Sequence, residues 1–393
     1  MSVTAAAGFR AAGVTAGLKV SGRPDVALVA ADAPASAAAV FTTNTVQAAP
    51  VLQSRAAVGS GRLRAVVLNS GGANACTGAP GLADAHATAA AVAAGLGCAP
   101  GEVAVASTGL IGVRLPMEAL LAGVDKAVGA LDVAGGNDAA TAIMTTDTVP
   151  KQAVRTVAVG EATVTVGGMA KGAGMLAPAL ATMLVVLTTD ADVGPADLQA
   201  ALSAAARATF DRIDADGCLS TNDSVYLLAS GAAGVRLDPV SDGWAAFVMA
   251  VEGCCADLAG QLIDDAEGAS KHIAVTVSGA TTEEAALAGA RAIARSALLK
   301  CAIHGEDPNW GRVLAALGTS AAAFDPDRVD VCINGVQVCT AGMGTQQEDA
   351  ARAALAAREV AIDVEMHVGD ERATIRTTDL TAAYVHENSA YST

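Results

Sequence analysis

Residues 167–187 read GGMAKGAGMLAPALATMLVVL, in which four glycines and one proline lie in residues 167–181 and the apolar stretch TMLVVL follows without a break. Glycine leaves the backbone free to bend, whereas TMLVVL has the composition of a short buried strand. A flexible approach therefore runs straight into a strand that begins at Thr182.

Upstream, residues 156–160 and 163–167 alternate around Gly160 and Glu161 and predict a hairpin. Residues 64–70 (RAVVLNS) and 102–108 (EVAVAST) read as buried strands, and the alanine-rich residues 82–96 between them have helical composition. Strand, helix, strand is the beginning of a layered α/β fold. Downstream, helices are expected over residues 195–209, 244–265 and 283–299. Strands are expected at 225–228, 273–277, 329–333 and 373–376.

A chain of 393 residues is long enough for one large layered domain or two compact lobes. Apolar residues make up 52% and aromatic ones 3%, so the core must be closely packed Ala, Val and Leu. The long uncharged runs, 33–54 and 65–83, are broken by Pro, Asn, Thr and Gly, so neither fits a lipid-facing helix and a soluble protein is expected. No basic start followed by an apolar run opens the chain, which predicts a cytoplasmic location. Eight cysteines without a CxxC pair read as small buried hydrophobes in a reducing compartment. The net charge of −16, with no basic cluster, argues against a nucleic-acid partner.

A threonine opening a buried strand is ordinary in itself. The surrounding residues 169–191, MAKGAGMLAPALATMLVVLTTDA, closely resemble the self-cleavage segment of the ornithine acetyltransferase (glutamate N-acetyltransferase) family of arginine biosynthesis. The likeness extends through NSGGANACTG (69–78), STGLIG (107–112), MTTD (144–147), DGCLSTND (216–223) and DDAEG (264–268). It continues through DPNWGR (307–312), IRTTDL (375–380) and the terminal ENSAYST. It implies an α/β fold of sheets layered between helices, similar in arrangement to amino-terminal-nucleophile hydrolases. It also implies cleavage between Ala181 and Thr182, giving chains 1–181 and 182–393 that stay together as an α2β2 heterotetramer.

The chemistry explains the threonine. A hydroxyl needs a base, and a free α-amino group, with a reference pKa of about 7.7–8.0, suits neutral pH. Cutting before Thr182 supplies nucleophile and base on one residue. The implied reaction is ping-pong: Thr182 takes acetyl from N-acetylornithine, ornithine leaves, and glutamate collects the acetyl group. The resemblance places the oxyanion hole on Thr108 and Gly109, and substrate contacts on Thr145, Lys171, Thr182, Glu267, Asn388 and Thr393. A diamino acid offers a carboxylate and an amine, so Lys171 and Glu267 supply the minimum of one cation and one anion, with the end that each touches left open.

The glycine-rich NSGGAN segment is neither GxxxxGK[ST] nor GxGxxG, so a tight turn packed near the site is expected rather than a phosphate loop. Five scattered histidines, at 86, 272, 304, 367 and 386, form no HExxH motif. The chemistry needs neither metal nor cofactor. Three alternatives stand beside it: a self-processing aminopeptidase or amidase in which water replaces glutamate, a bifunctional enzyme that also takes acetyl-CoA, and a binding protein that has kept only the fold.

Overall fold

The structure, a computed structural model, describes residues 2–175 and 183–390. The first stretch contributes β1 (Phe9–Val14), β2 (Val26–Phe41), α1 (Ala49–Val58), β3 (Arg62–Ser70), α2 (Gly78–Leu96), β4 (Val103–Thr108), α3 (Met117–Gly129), α4 (Gly136–Ala142), β5 (Lys151–Val159) and β6 (Ala162–Lys171). The second begins with β7 (Leu184–Thr189), β8 (Asp192–Val193), α5 (Pro195–Ala208), β9 (Ser224–Ala229), β10 (Arg236–Leu237) and α6 (Trp244–Asp264). It continues with β11 (His272–Ala280), α7 (Glu283–Ala294), α8 (Ala297–His304), α9 (Trp310–Leu317), β12 (Asp330–Ile333), β13 (Val336–Thr340) and β14 (Met343–Gly344). Last come α10 (Glu348–Ala354), β15 (Glu359–Glu365), β16 (Glu371–Thr378) and α11 (Ala382–Ala390).

The larger sheet runs β4-β3-β2-β9-β7-β6-β5, with β1 also paired to β2. Its interior strand β7 is parallel to β9 and antiparallel to β6. Leu184 and Val186 point to one face, where Tyr226, Val66, Leu68 and Ile143 meet them. Val185 and Leu187 point to the other, against Leu198, Phe247, Val251 and Leu258 of α5 and α6. A strand covered on both faces has to be apolar at every position, which is why the LVVL run announces it. The expected hairpin is β5–β6, turning at Gly160 and Glu161, with Gly160 at φ +60°.

A second sheet, β14-β13-β12-β15-β11-β16, carries helices on one face, where Val275, Val277, Val331 and Ile362 pack against Ala290, Ile293 and Leu317. The helix expected over 283–299 is two helices, because the Ser296 hydroxyl accepts the Leu299 N–H and caps a new start. Among the described residues α6 alone has the length and hydropathy to cross a membrane. Its Phe247, Val251, Cys255 and Leu258 instead fill the core against the larger sheet.

Candidate active site

The larger sheet brings two strand ends together. Thr108 is the last residue of β4 and Lys171 the last of β6, and both are 2% exposed. The Lys171 ammonium donates to Thr145 Oγ1 at 2.7 Å and to Thr108 Oγ1 at 3.3 Å. An ammonium only donates, so both hydroxyls must accept from it, and each keeps its own hydrogen for another partner. Gly109 follows with φ +130°, and a Cβ there would lie 2.5 Å from the Gly72 nitrogen, so only glycine fits. The NSGGAN segment makes this contact: the Gly71 and Gly72 N–H groups both donate to the Thr108 carbonyl at 3.0 Å. It is thus a tight turn packed on the strand exit, as the sequence led us to expect.

Residues Thr145–Thr148 each hold a different partner. Thr145 accepts from Lys171, and the Thr146 hydroxyl donates to Glu267 Oε1 at 2.6 Å. Asp147 Oδ1 accepts from Lys151 at 2.6 Å and from the Gly172 N–H at 2.7 Å. Thr148 N–H donates to Asp265 at 3.0 Å, and Lys151 reaches the same carboxylate at 2.6 Å. Burial would push the Asp147 carboxyl up, but Lys171 and Lys151 together hold it well below the usual carboxylate range. Burial pushes the Lys171 ammonium down, against the pull of Asp147. Beyond Lys171, the fully buried Asp223 accepts the Met183 N–H at 3.1 Å, and burial raises its carboxyl well above the usual range.

The chain's end closes one side. Asn388 Nδ2 donates to Glu267 Oε2 at 3.0 Å from α11. That helix rests on Gly268, where a Cβ would lie 2.3 Å from the Tyr384 nitrogen, and the Thr381 hydroxyl donates to the Gly268 carbonyl at 2.6 Å. A cleft of about 590 Å³ opens at Thr145 and Thr146, lined also by Lys19, Arg23, Gly109 and Leu110, among others. Among the described residues no group of three or more His, Cys, Asp and Glu side chains is arranged to hold a metal ion.

The ArgJ family profile matches residues 10–393. An arginine biosynthesis bifunctional protein ArgJ of Streptomyces coelicolor is 61% identical over 394 residues, covering 100% of both chains. The chain belongs to the ArgJ family. A Mycobacterium tuberculosis protein of the same name is 57% identical, over 99% of this chain and 96% of its own. A solved ArgJ chain from Bacillus halodurans, 40% identical, superposes with a TM-score of 0.51, matching 52% of this chain with 98% of its own length.

Of the residues singled out in this ArgJ-family sequence, Thr108, Gly109, Thr145, Lys171, Glu267 and Asn388 come together in one hydrogen-bonded neighbourhood. Ala181, Thr182 and Thr393 lie outside the described residues. Sequence reasoning passed over Asp147, Lys151 and Asp265, although MTTD and DDAEG had been noticed, because nothing in a sequence marks a charge as buried. It also passed over Asn222, whose amide donates to the Ala73 and Ser107 carbonyls at 2.6 and 2.8 Å and ties the turn to β4.

Proposed function

We propose that the chain cuts itself between Ala181 and Thr182 and then transfers acetyl from N2-acetyl-L-ornithine to L-glutamate through an acetyl ester on Thr182. The donors of Thr108 and Gly109 face the oxyanion of each tetrahedral intermediate. Such donors are typically worth about 2.7–4 kcal/mol each. Thr145, Lys171, Glu267, Asn388 and Thr393 contact substrate, and chains 1–181 and 182–393 remain together as an α2β2 assembly in the cytoplasm.

One observation carries the reading: Lys171 commits both threonine hydroxyls as acceptors and so aims the remaining hydrogen of Thr108 away from itself. In support, Lys171 is in register with Leu184, two residues along the sequence from Thr182. Further support comes from the solved Bacillus halodurans chain, a polypeptide of about half length such as a central cut leaves. That the relatives are named bifunctional favours acetyl-CoA as a second donor to the same ester.

The test is intact mass of the purified protein before and after acetylornithine. Two polypeptides should appear, 1–181 and 182–393, and the second should gain one acetyl group. Thr182→Ala should give one uncut, inactive chain. A parent that stays whole, or whose acetyl label sits elsewhere, removes the mechanism. Ornithine release at a rate indifferent to glutamate would make the enzyme an amidase.

A further inference from the structure

The donor and acceptor of this reaction end in opposite charges: ornithine carries a side-chain ammonium and glutamate a second carboxylate. Given that both must present their α-nitrogen to one acetyl ester, a single side-chain subsite cannot serve both. Glu267 attracts an ammonium and repels a carboxylate. Of the buried cations, Lys151 is paired with Asp147 and Asp265, and Lys171, 3.9 Å from Asp147, is already taken up by the substrate contact proposed above. A second carboxylate therefore requires a cation of its own.

Two stand at the cleft beside Gly109 and Thr145. The loop of residues 15–25 joins β1 to β2 and is drawn tight by one buried carboxylate: Asp25 accepts the N–H groups of Ala16, Gly17, Leu18 and Lys19 at 2.6, 3.0, 2.6 and 3.1 Å. So held, Lys19 donates among the described residues only to neutral carbonyls, those of Pro24 at 2.7 Å and Ala142 at 3.3 Å. Arg23 Nη2 donates to the Thr145 carbonyl at 3.2 Å. Among the described residues neither side chain is in an ion pair, although both line the cleft that Thr145 and Thr146 share. Partial burial and the nearby Arg23 push the Lys19 ammonium down to about 8, against the pull of Asp25 and Asp147, a cost that a bound anion relieves.

We infer that Lys19 and Arg23 form the subsite for the side-chain carboxylate of the acceptor, and that this loop, rather than the buried network, selects a dicarboxylic amino acid. The inference rests on the acetyl-ester reading above. The experiment separates the half-reactions in the full-length protein for the parent, Lys19→Met, Arg23→Gln and Lys19→Arg. A burst of ornithine from acetylornithine alone reports acetylation, and the glutamate dependence of deacetylation reports the acceptor. Losing a charge-assisted hydrogen bond should raise the glutamate KM by roughly 10- to 100-fold in Lys19→Met and Arg23→Gln. The ornithine burst should persist, the preference for glutamate over glutamine should fall, and Lys19→Arg should keep most of it. A normal burst with unchanged glutamate KM and glutamine discrimination in both charge-removing variants would overturn the subsite alone. A parent without a burst would overturn the acetyl-ester reading and the subsite with it.

Discussion

Asn388 Nδ2 lies 3.0 Å from Glu267 Oε2, a hydrogen bond that joins the last helix of the chain to the acidic side of the cleft. Polar chain ends usually fray. Here Gly268 and Thr381 seat α11, and the helix delivers Asn388 to Glu267, a carboxylate in no ion pair among the described residues. Removing residues 388–393 should raise the KM for acetylornithine by about tenfold or more, from the loss of hydrogen bonds to a charged group. Self-cleavage, which needs no substrate, should proceed. Steady-state kinetics beside a denaturing gel check this, and parental kinetics would make the tail ordinary surface.

Thr108→Ala deletes the hydroxyl that accepts from Lys171 and leaves the β4 backbone in place. Turnover should fall by about 10²–10³ if that hydroxyl stabilises the oxyanion. Processing should slow as well, since self-cleavage passes through a similar species. Unchanged turnover together with normal processing would return Thr108 to a plain strand exit.

Asp147→Asn strands Lys151 and Lys171 with one fewer carboxylate in a buried setting. Breaking a buried pair in this way costs about 3–5 kcal/mol. The folded-state pKa of Asp147 lies below its unfolded value, so its contribution is complete above the ordinary value of about 3.9 and is lost as pH falls through the lower folded value. Urea titrations should therefore show a large gap between parent and variant at pH 7 that narrows below pH 4. A constant gap would mean that the charge on Asp147 is not what matters.

Lys19→Met should behave in the opposite way. The Lys19 ammonium, pushed down to about 8 in the fold, is charged in both states at neutral pH and weighs against folding there. Above pH 8 the folded protein loses that proton while the unfolded chain keeps it up to about 10.4, so the penalty shrinks with rising pH. The variant should have the higher Tm at pH 7, with the advantage fading between pH 8 and 10. A variant less stable than the parent at pH 7 would show that the lysine is there for packing.

The strands β3, β4 and β7 were legible because burial on both faces demands continuous apolar runs, and β6 because it alternates with β5 around the Gly160–Glu161 turn. The 16-residue β2 was not: VALVAADAPASAAAVF has neither alternation nor β-branched density, and its register shifts between Ala30 and Ala35, around Asp32 and Pro34. At the site, Thr108, Gly109, Thr145, Lys171, Glu267 and Asn388 were found through family likeness rather than through any local pattern. Asp147, Lys151 and Lys19 escaped because composition shows that a residue is charged, whereas only the packed chain shows whether water reaches it.

The order of the larger sheet has one more consequence for a protein cut before Thr182. Strands β9 and β7, from one product, lie between β2 and β6, from the other, hydrogen-bonded to a foreign neighbour on each outer side. The halves are interleaved like the fingers of two hands. On the proposed cut, each piece therefore depends on the other for strand pairing at both of these boundaries. An enzyme cut in this way would denature into two chains, whose reunion would depend on the square of their concentration where the precursor's folding would not.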